Sequence, residues 1–468
     1  MKVFHLTLAL IGMTWSVYAT GTKVLVKKSD KGFKLVVDGQ DFIVKGMNWD
    51  YYPLGTNYTY SLWNQSEKVI KSVLDKEMIL VKKMGVNTLR MYTGIPKKWI
   101  AYIHQNFGIY TMLNHPFGRY GISIDGKWMD NTAYDHPRVK ELLLKETTQL
   151  AKDYKDTPGL LFYLLGNENN YGLFWNDIEE KTTAKRDNKA SLPTRAMYKL
   201  FLLSDDHKDE YIKEKSKIEL STDKKSVMRA RSMYKLFNKA ALAMKTTDST
   251  HPIAICNGDL MFIEIIKEEC KDIDIFGTNM YRGVSFGDAF QRIREELNKP
   301  LIFTEFGADA YHAIKKVEDQ ESQAFYLIRN WKEIYANAAG IGGSGNSLGG
   351  FTYQFSDGWW KVDQTKNLDV HDNTATWNNG GYYRDDKDGI NNMNEEWFGI
   401  CGKIPVNGQG EYKLLPRAAY FGLKIVHNFS PYDPATTLLE LEKHFSKIDI
   451  STAMNKSKDY SNSLQKAE

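Results

Sequence analysis

The sequence predicts an α/β chain folded as a (β/α)8 TIM barrel, with an N-terminal β-hairpin and long insertions after the fourth and eighth strands. Three observations carry this. Eight short apolar runs alternate with stretches of helical periodicity, the pattern of parallel strands joined by helical crossovers. The run Leu160-Leu161-Phe162-Tyr163-Leu164-Leu165 is apolar without a break, as a strand buried on both faces must be. No Gly-x-Gly-x-x-Gly turn follows the first strand, which weighs against the alternative of a doubly wound open sheet.

Residues 33–37 and 42–44, joined across Asp38-Gly39, read as a hairpin with a tight turn. Its second arm continues through Lys45-Gly46-Met47-Asn48-Trp49 as the first strand. Helical periodicity over 66–84 precedes a strand at 86–91, which ends in Arg90-Met91-Tyr92. A helix over 95–107 has Pro96 near its first turn. A strand at 109–113 ends at Asn114-His115, and a helix over 139–154 leads into the strand at 160–165. Strands at 253–255, 273–276, 301–303 and 350–355 complete the eight, separated by helices at 259–270, 286–298 and 317–338, with a last helix over 416–426.

Residues 176–250 are too long and polar for one crossover helix. They hold a near-repeat, Arg195-Ala196-Met197-Tyr198-Lys199-Leu200-Phe201 and Arg231-Ser232-Met233-Tyr234-Lys235-Leu236-Phe237, which reads as a duplicated helix start. A second insertion, 361–415, carries Trp377, Tyr382, Tyr383, Trp397 and Phe398. The first 19 residues have the form of a cleavable export signal: Lys2, an apolar stretch, then Val17-Tyr18-Ala19. The expectation is a secreted or periplasmic protein with no lipid-bearing cysteine at the cleavage point and no membrane span. The barrel is assigned 20–430, and 431–468, polar and rich in Lys and Ser, a partly disordered tail.

With 468 residues and 42% apolar content the chain can bury one large core. A net charge of +4 gives no case for a nucleic-acid or anionic-membrane partner. Cys256, Cys270 and Cys401 are too few for a disulfide framework. Cys256 and Cys270 fall at opposite ends of a barrel unit, roughly 15 Å apart by helix rise, so free buried thiols are expected. Asp385-Asp386-Lys387-Asp388-Gly389 has a calcium-loop cadence, but Arg384 holds the first ligand position, and no metal or cofactor is assigned.

Two strand exits stand out chemically. Leu165-Gly166-Asn167-Glu168-Asn169 and Phe303-Thr304-Glu305-Phe306-Gly307 each end an apolar run with a glutamate, where a parallel barrel presents its chemistry. Two carboxylates facing one cleft suit an acid and a nucleophile acting on a sugar. A separation of ~5–5.5 Å implies retention of configuration, and ~6.5–9.5 Å implies inversion.

These motifs, with Asp-Gly-x-x-Phe-x-x-Lys-Gly-x-Asn at 38–48 and Leu415-Pro416-Arg417-Ala418-Ala419-Tyr420, resemble the clan A glycoside hydrolases over about 40–430. The pattern is similar to the barrel domain of family 2 glycosidases. It also resembles the β-1,3-glucanosyltransferases in Gly85-Val86-Asn87-Thr88-Leu89-Arg90 and Phe107-Gly108-Ile109-Tyr110. The resemblance implies a retaining glycoside hydrolase on β-linked glucan, β-1,3-glucan first, with an oligo- or polysaccharide as partner of a monomeric chain. In that reading Glu168 is the general acid/base, Glu305 the nucleophile, Asn167 the ligand of the sugar 2-hydroxyl, and Tyr281 a donor to the nucleophile. Arg90 is the charge partner expected to keep Glu305 ionised. Trp359 or Trp360 is the sugar platform, with Trp359 preferred. Asn48, Trp49, Asn114 and His115, at the first and third strand exits, are expected to line the pocket. Two alternatives stand beside it: a β-glucanosyltransferase using the same residues, and a carbohydrate-binding barrel without turnover.

Overall fold

The structure, a computed structural model, describes residues 21–92, 94–174, 224–361, 364–406 and 410–466. The expected leader, and the first copy of the near-repeat, lie outside the described residues.

Eight parallel strands close into a barrel: β1 (Val44–Asn48), β2 (Thr88–Met91), β3 (Tyr110–His115), β4 (Leu160–Leu165), β5 (Ile253–Gly258), β6 (Ile275–Asn279), β7 (Leu301–Phe306) and β8 (Ser347–Thr352). β8 pairs with β1 and β4 with β5, so no barrel edge is left open. A helix follows every strand. These are α1 (Glu67–Lys83), α2 (Lys97–Phe107), α3 (Pro137–Tyr154), α4 (Lys224–Thr247), α5 (Ile263–Glu269), α6 (Ala289–Arg292, continued by a π-turn over Ile293–Leu297), α7 (Gln320–Ala336) and α8 (Ala418–Val426). Local chemistry sets their ends. Ser66 caps α1 by accepting the Val69 N–H, and Gly108 stops α2 with φ +70°.

β4 shows how the core divides, its alternation broken at Leu161-Phe162 where the pairing with β3 slips. Leu161, Phe162 and Leu164 belong to the cluster inside the barrel, while Leu160, Tyr163 and Leu165 pack outward against the helices. The lower end of the barrel is stoppered by a three-stranded antiparallel sheet, Val24–Ser29, Gly32–Val37 and Gln40–Phe42. Its last two strands are the expected hairpin, with Asp38 and Gly39 both at positive φ as a type I′ turn requires. Val24, Phe33, Leu35 and Val37 join the interior cluster beneath Val44, Met112 and Ile302. Gly32 touches the entry of β8 so closely that a Cβ would fall 1.8 Å from the Gly345 carbonyl oxygen.

Two expectations need correction. Residues 431–468 are not a loose tail. Helices α9 (Leu438–Phe445) and α10 (Ile450–Lys466) pack on α7 and α8, burying Leu441, Phe445 and Ala453, and Ser457 donates to the Pro416 carbonyl at 2.9 Å. A polar composition hid apolar positions at helical spacing. β8 also ends at Thr352 rather than at residue 355, which changes the residue presented at its exit. The second insertion is a packed wall. It contains a hairpin, Cys401–Pro405 with Tyr412–Pro416, and its Tyr382, Met393 and Phe398 form a satellite core with Tyr281, Tyr353 and Trp377. All three cysteines are buried free thiols, as expected. Among the described residues no helix is long and apolar enough to cross a membrane.

Leu35 is fully buried in the stopper, so Leu35→Ala is expected to cost about 2–4 kcal/mol in urea unfolding. A loss below about 1 kcal/mol would show that the sheet does not close the core.

Candidate active site

Strict alternation along β7 points Ile302 and Thr304 inward and would turn Glu305 outward. The pairing with β6 slips instead: Thr278 faces Phe303, but Asn279 faces Glu305. This irregularity re-aims Glu305 toward the barrel mouth. Its carboxylate accepts from Arg90 Nη1 at 2.8 Å and from the Tyr92 hydroxyl at 2.5 Å on Oε1, and from the Tyr281 hydroxyl at 2.9 Å on Oε2. Three donors on a buried carboxylate solvate an anion in place of water.

Arg90, on β2, is fully buried and holds the site together. Besides Glu305 it donates to Asn167 Oδ1 (2.8 Å), Asn114 Oδ1 (3.1 and 3.3 Å), Asn279 Oδ1 (3.2 Å) and the Thr304 carbonyl (3.0 Å). Burial works against its charge. The fields of Tyr92, Cys256 and Glu305 outweigh burial and hold the guanidinium above its ordinary value.

Glu168 leaves β4 through a turn with Gly166 at φ +85° and Glu168 itself at φ +56°, a left-handed conformation that glutamate seldom adopts. The turn is pinned. Glu168 N–H donates to the Cys256 carbonyl at 3.0 Å, and Asn169 accepts the Asn167 N–H at 2.8 Å while donating to the Phe117 carbonyl and the Tyr134 hydroxyl. Burial, then the charge of Glu305, push the Glu168 carboxyl up from 4.5 to about 7; Arg119 and a hydrogen bond from Asn279 oppose them. One carboxyl thus accepts from three donors while its neighbour holds a proton near neutrality. Asn167 joins the two sides, accepting from Arg90 and Asn279 and donating to the Tyr120 hydroxyl at 2.8 Å.

Of the expected residues, Glu168, Glu305, Asn167, Arg90, Tyr281, Asn114 and Asn48 converge. Asn48 Nδ2 donates to the Tyr92 hydroxyl at 2.6 Å. Trp49 and His115 do not join them. Each follows an inward residue on its strand and so faces out. Trp49 Nε1 donates to Glu77 of α1 at 2.7 Å, and His115 lies 3.6 Å from Glu146 of α3. The exit of β8 belongs to neither Trp359 nor Trp360. Because β8 ends at Thr352, its exit residue is Tyr353, whose ring centroid lies 6.4 Å from those of both Tyr92 and Tyr281. Trp359 stacks on His371 at 5.0 Å, and Trp360 packs against Tyr52 and Tyr58 at 5.4 and 5.6 Å.

Tyr92, Asn279, Tyr120 and Tyr353 are the residues that sequence reasoning missed. For two of them the signal was present: Tyr92 is two residues after Arg90 and Asn279 two before Tyr281, hence on the same face. Asp385 accepts from Ala313 N–H and Asn392, and the described residues hold no group of three side chains able to ligate a metal.

No protein-family model matches the chain, and no curated protein matches it. Solved structures similar to it include a GH2 β-galacturonidase from Eisenbergiella tayi bound to galacturonate, 13% identical with TM-score 0.49, covering 88% of this chain and 55% of that one. Others are a β-D-glucuronidase of Dictyoglomus thermophilum (15%, 0.49, 88% and 54%) and a Bacteroides uniformis β-glucuronidase (12%, 0.49, 86% and 37%). The chain spans about half the length of the first two.

The raised Glu168 carboxyl has a thermodynamic consequence. The folded chain keeps this proton up to about pH 7, whereas the unfolded chain releases it near 4.5, so Glu168 lowers stability progressively as pH rises across that window. Glu168→Gln removes the effect. In denaturant titrations its stability relative to the natural chain is expected to rise between pH about 4.5 and about 7 and then level off. A difference independent of pH would contradict the assignment.

Proposed function

We propose that this chain is a retaining β-glycosidase. The observation that carries the reading is the pair of unequal carboxyls: Glu305 held by Arg90, Tyr92 and Tyr281, beside Glu168 with its affinity for a proton raised to about 7. A carboxyl ligated by three donors beside one raised toward neutrality suits a nucleophile and an acid.

In the first step a Glu305 oxygen attacks the anomeric carbon while Glu168 gives its proton to the departing glycosidic oxygen. The C–O bond to the leaving group breaks as the glycosyl ester forms. Glu168, now ionised, takes a proton from water as that water attacks the same carbon and releases Glu305. As the ester forms, the negative charge on Glu305 disappears, and with it the field that raises Glu168, so the acid becomes a usable base for the second step. Asn167 is held by Arg90, Asn279 and Tyr120 at the edge of both carboxyls, suited to hold the 2-hydroxyl.

Export through residues 1–19 and action on β-linked glucan, with β-1,3-glucan the first substrate to assay, belong to the same proposal. They are supported by the leader pattern and by the resemblance of residues 85–90 and 107–110. The test is product sizing and proton NMR on a panel of β-glucans, β-mannan and small β-glycosides. The first-formed product is expected in the β configuration. Products longer than the input would make the enzyme a transglycosylase, and an α product would overturn retention. Glu168→Gln is expected to lower kcat/KM about 10²–10⁴-fold on substrates with poor leaving groups. Glu305→Ala is expected to leave no turnover on any of them. Unchanged rates in either variant would remove these residues from the mechanism.

A further inference from the structure

Resting on the glycosidase reading of Glu168 and Glu305, we propose that the hairpin after β3 holds the part of a β-linked glycan that departs in the first step, with Tyr120 and Trp128 as successive sugar platforms and Arg119 as a donor to the first departing unit.

The acid gives its proton to the departing oxygen, so the departing sugar lies against Glu168. The segment that follows β3 is built onto the same place. The Tyr120 hydroxyl accepts from Nδ2 of Asn167, the residue before Glu168, at 2.8 Å. Arg119 reaches the 3₁₀ turn Asn169–Leu173 that follows Glu168, where a Cβ on Gly172 would fall 3.9 Å from Arg119 Nη1. Its field is felt at Glu168.

Arg119 is not used by the fold. Its guanidinium makes no hydrogen bond or ion pair with another described residue, and its Nε is buried without an acceptor. It stands 5.5 Å from the centre of the Tyr120 ring. A buried donor left unmatched is costly, and a sugar hydroxyl is an acceptor that would match it.

The two rings face outward but are fixed. Tyr120 and Trp128 each expose 58% of their surface, although the hydroxyl end of Tyr120 is anchored at Asn167. The Trp128 indole N–H donates to Asp130 Oδ1 at 2.8 Å. A Cβ on Gly121 would fall 2.4 Å from Trp128 Cζ2, so the indole lies against the backbone next to Tyr120. The hairpin, Ile122–Ile124 with Lys127–Met129, turns at Asp125-Gly126 with both residues at positive φ. Arg138 of α3 donates to Asp125 Oδ1 at 2.9 Å, and Thr132 Oγ1 donates to the Gly118 carbonyl at 2.6 Å. Rings held in advance bind a sugar face with little ordering cost. Tyr120 touches the catalytic cluster and Trp128 continues outward from it, an order that suits consecutive units of one chain.

The test uses the ester formed on Glu305 by a 2-deoxy-2-fluoro β-glucoside, which fills the nucleophile's side and leaves the acid's side open. Its release is timed in water, and with glucose or a β-1,3- or β-1,4-linked trisaccharide of glucose at equal concentration. The acceptor hydroxyl attacks the anomeric carbon, gives its proton to Glu168 and frees Glu305. One trisaccharide is expected to speed release about tenfold or more over glucose. Trp128→Ala is expected to remove most of that gain and Trp128→Phe to keep most of it. Arg119→Gln is expected to slow release by every acceptor about tenfold relative to release by water. No gain with acceptor length, or rates unmoved in both Trp128→Ala and Arg119→Gln, overturns the proposal. A dimer that Trp128→Ala disperses, with no response to glycan, overturns it too and gives the rings to a second copy. If no ester forms, the glycosidase reading has failed, and calorimetry on the full chain with β-1,3- and β-1,4-linked hexasaccharides of glucose decides whether the hairpin holds glycan. Binding weakened about tenfold in Trp128→Ala supports it. Binding of neither, or equal binding in the variant, overturns it.

Discussion

The site depends on one buried cation. Arg90 has no exposed surface, and its guanidinium touches residues from β3, β6, β7 and the turn after β4. A charge taken out of water at this depth is tolerated only when its donors are matched by acceptors and a counter-charge. Here Glu305 supplies the counter-charge, and three asparagines and a carbonyl supply the rest. The matching runs both ways. The acceptors that stabilise Arg90 are the groups whose positions the chemistry needs, so the electrostatics of burial fix the geometry of the pocket. Removing one partner of such a pair costs about 3–5 kcal/mol, because the other stays buried and unmatched.

The second glutamate is set by its surroundings: Glu168 feels burial and the charge of Glu305 more strongly than the opposing pull of Arg119, a hydrogen bond from Asn279 and the more distant field of Arg90. The left-handed backbone at Glu168 is the local cost of that placement. It is held by the Cys256 carbonyl and the Asn169 anchor rather than by favourable backbone energy. Tertiary packing thus sets both carboxyls: Glu305, re-aimed by a slip in strand pairing, and Glu168, re-aimed by a strained turn.

Much of this was legible in the residues. Unbroken apolar runs ending in glutamate located β4 and β7, and Asp38-Gly39 located the stopper's turn, because these signals are local. What was not legible depends on register. A place at a strand end suggests the pocket for Trp49 and His115, but they sit one residue past an inward position and face the helices. Trp359 and Trp360 are expected at the site because they follow the apolar run of the last strand. An end to β8 three residues earlier gives that position to Tyr353. The helices at 438–466 were hidden by polar composition and appear only when Leu441, Phe445 and Ala453 are placed on one buried face.

The glycosidase proposal stands or falls on a covalent bond from Glu305 to the sugar. A 2-deoxy-2-fluoro β-glycoside with a good leaving group slows release of the ester more than its formation, so the intermediate can be weighed and the labelled peptide sequenced. A single glycosyl adduct on Glu305, absent in Glu305→Ala, is the predicted result. An adduct on another residue, or hydrolysis of the parent glycoside with inversion and no adduct at all, would contradict it.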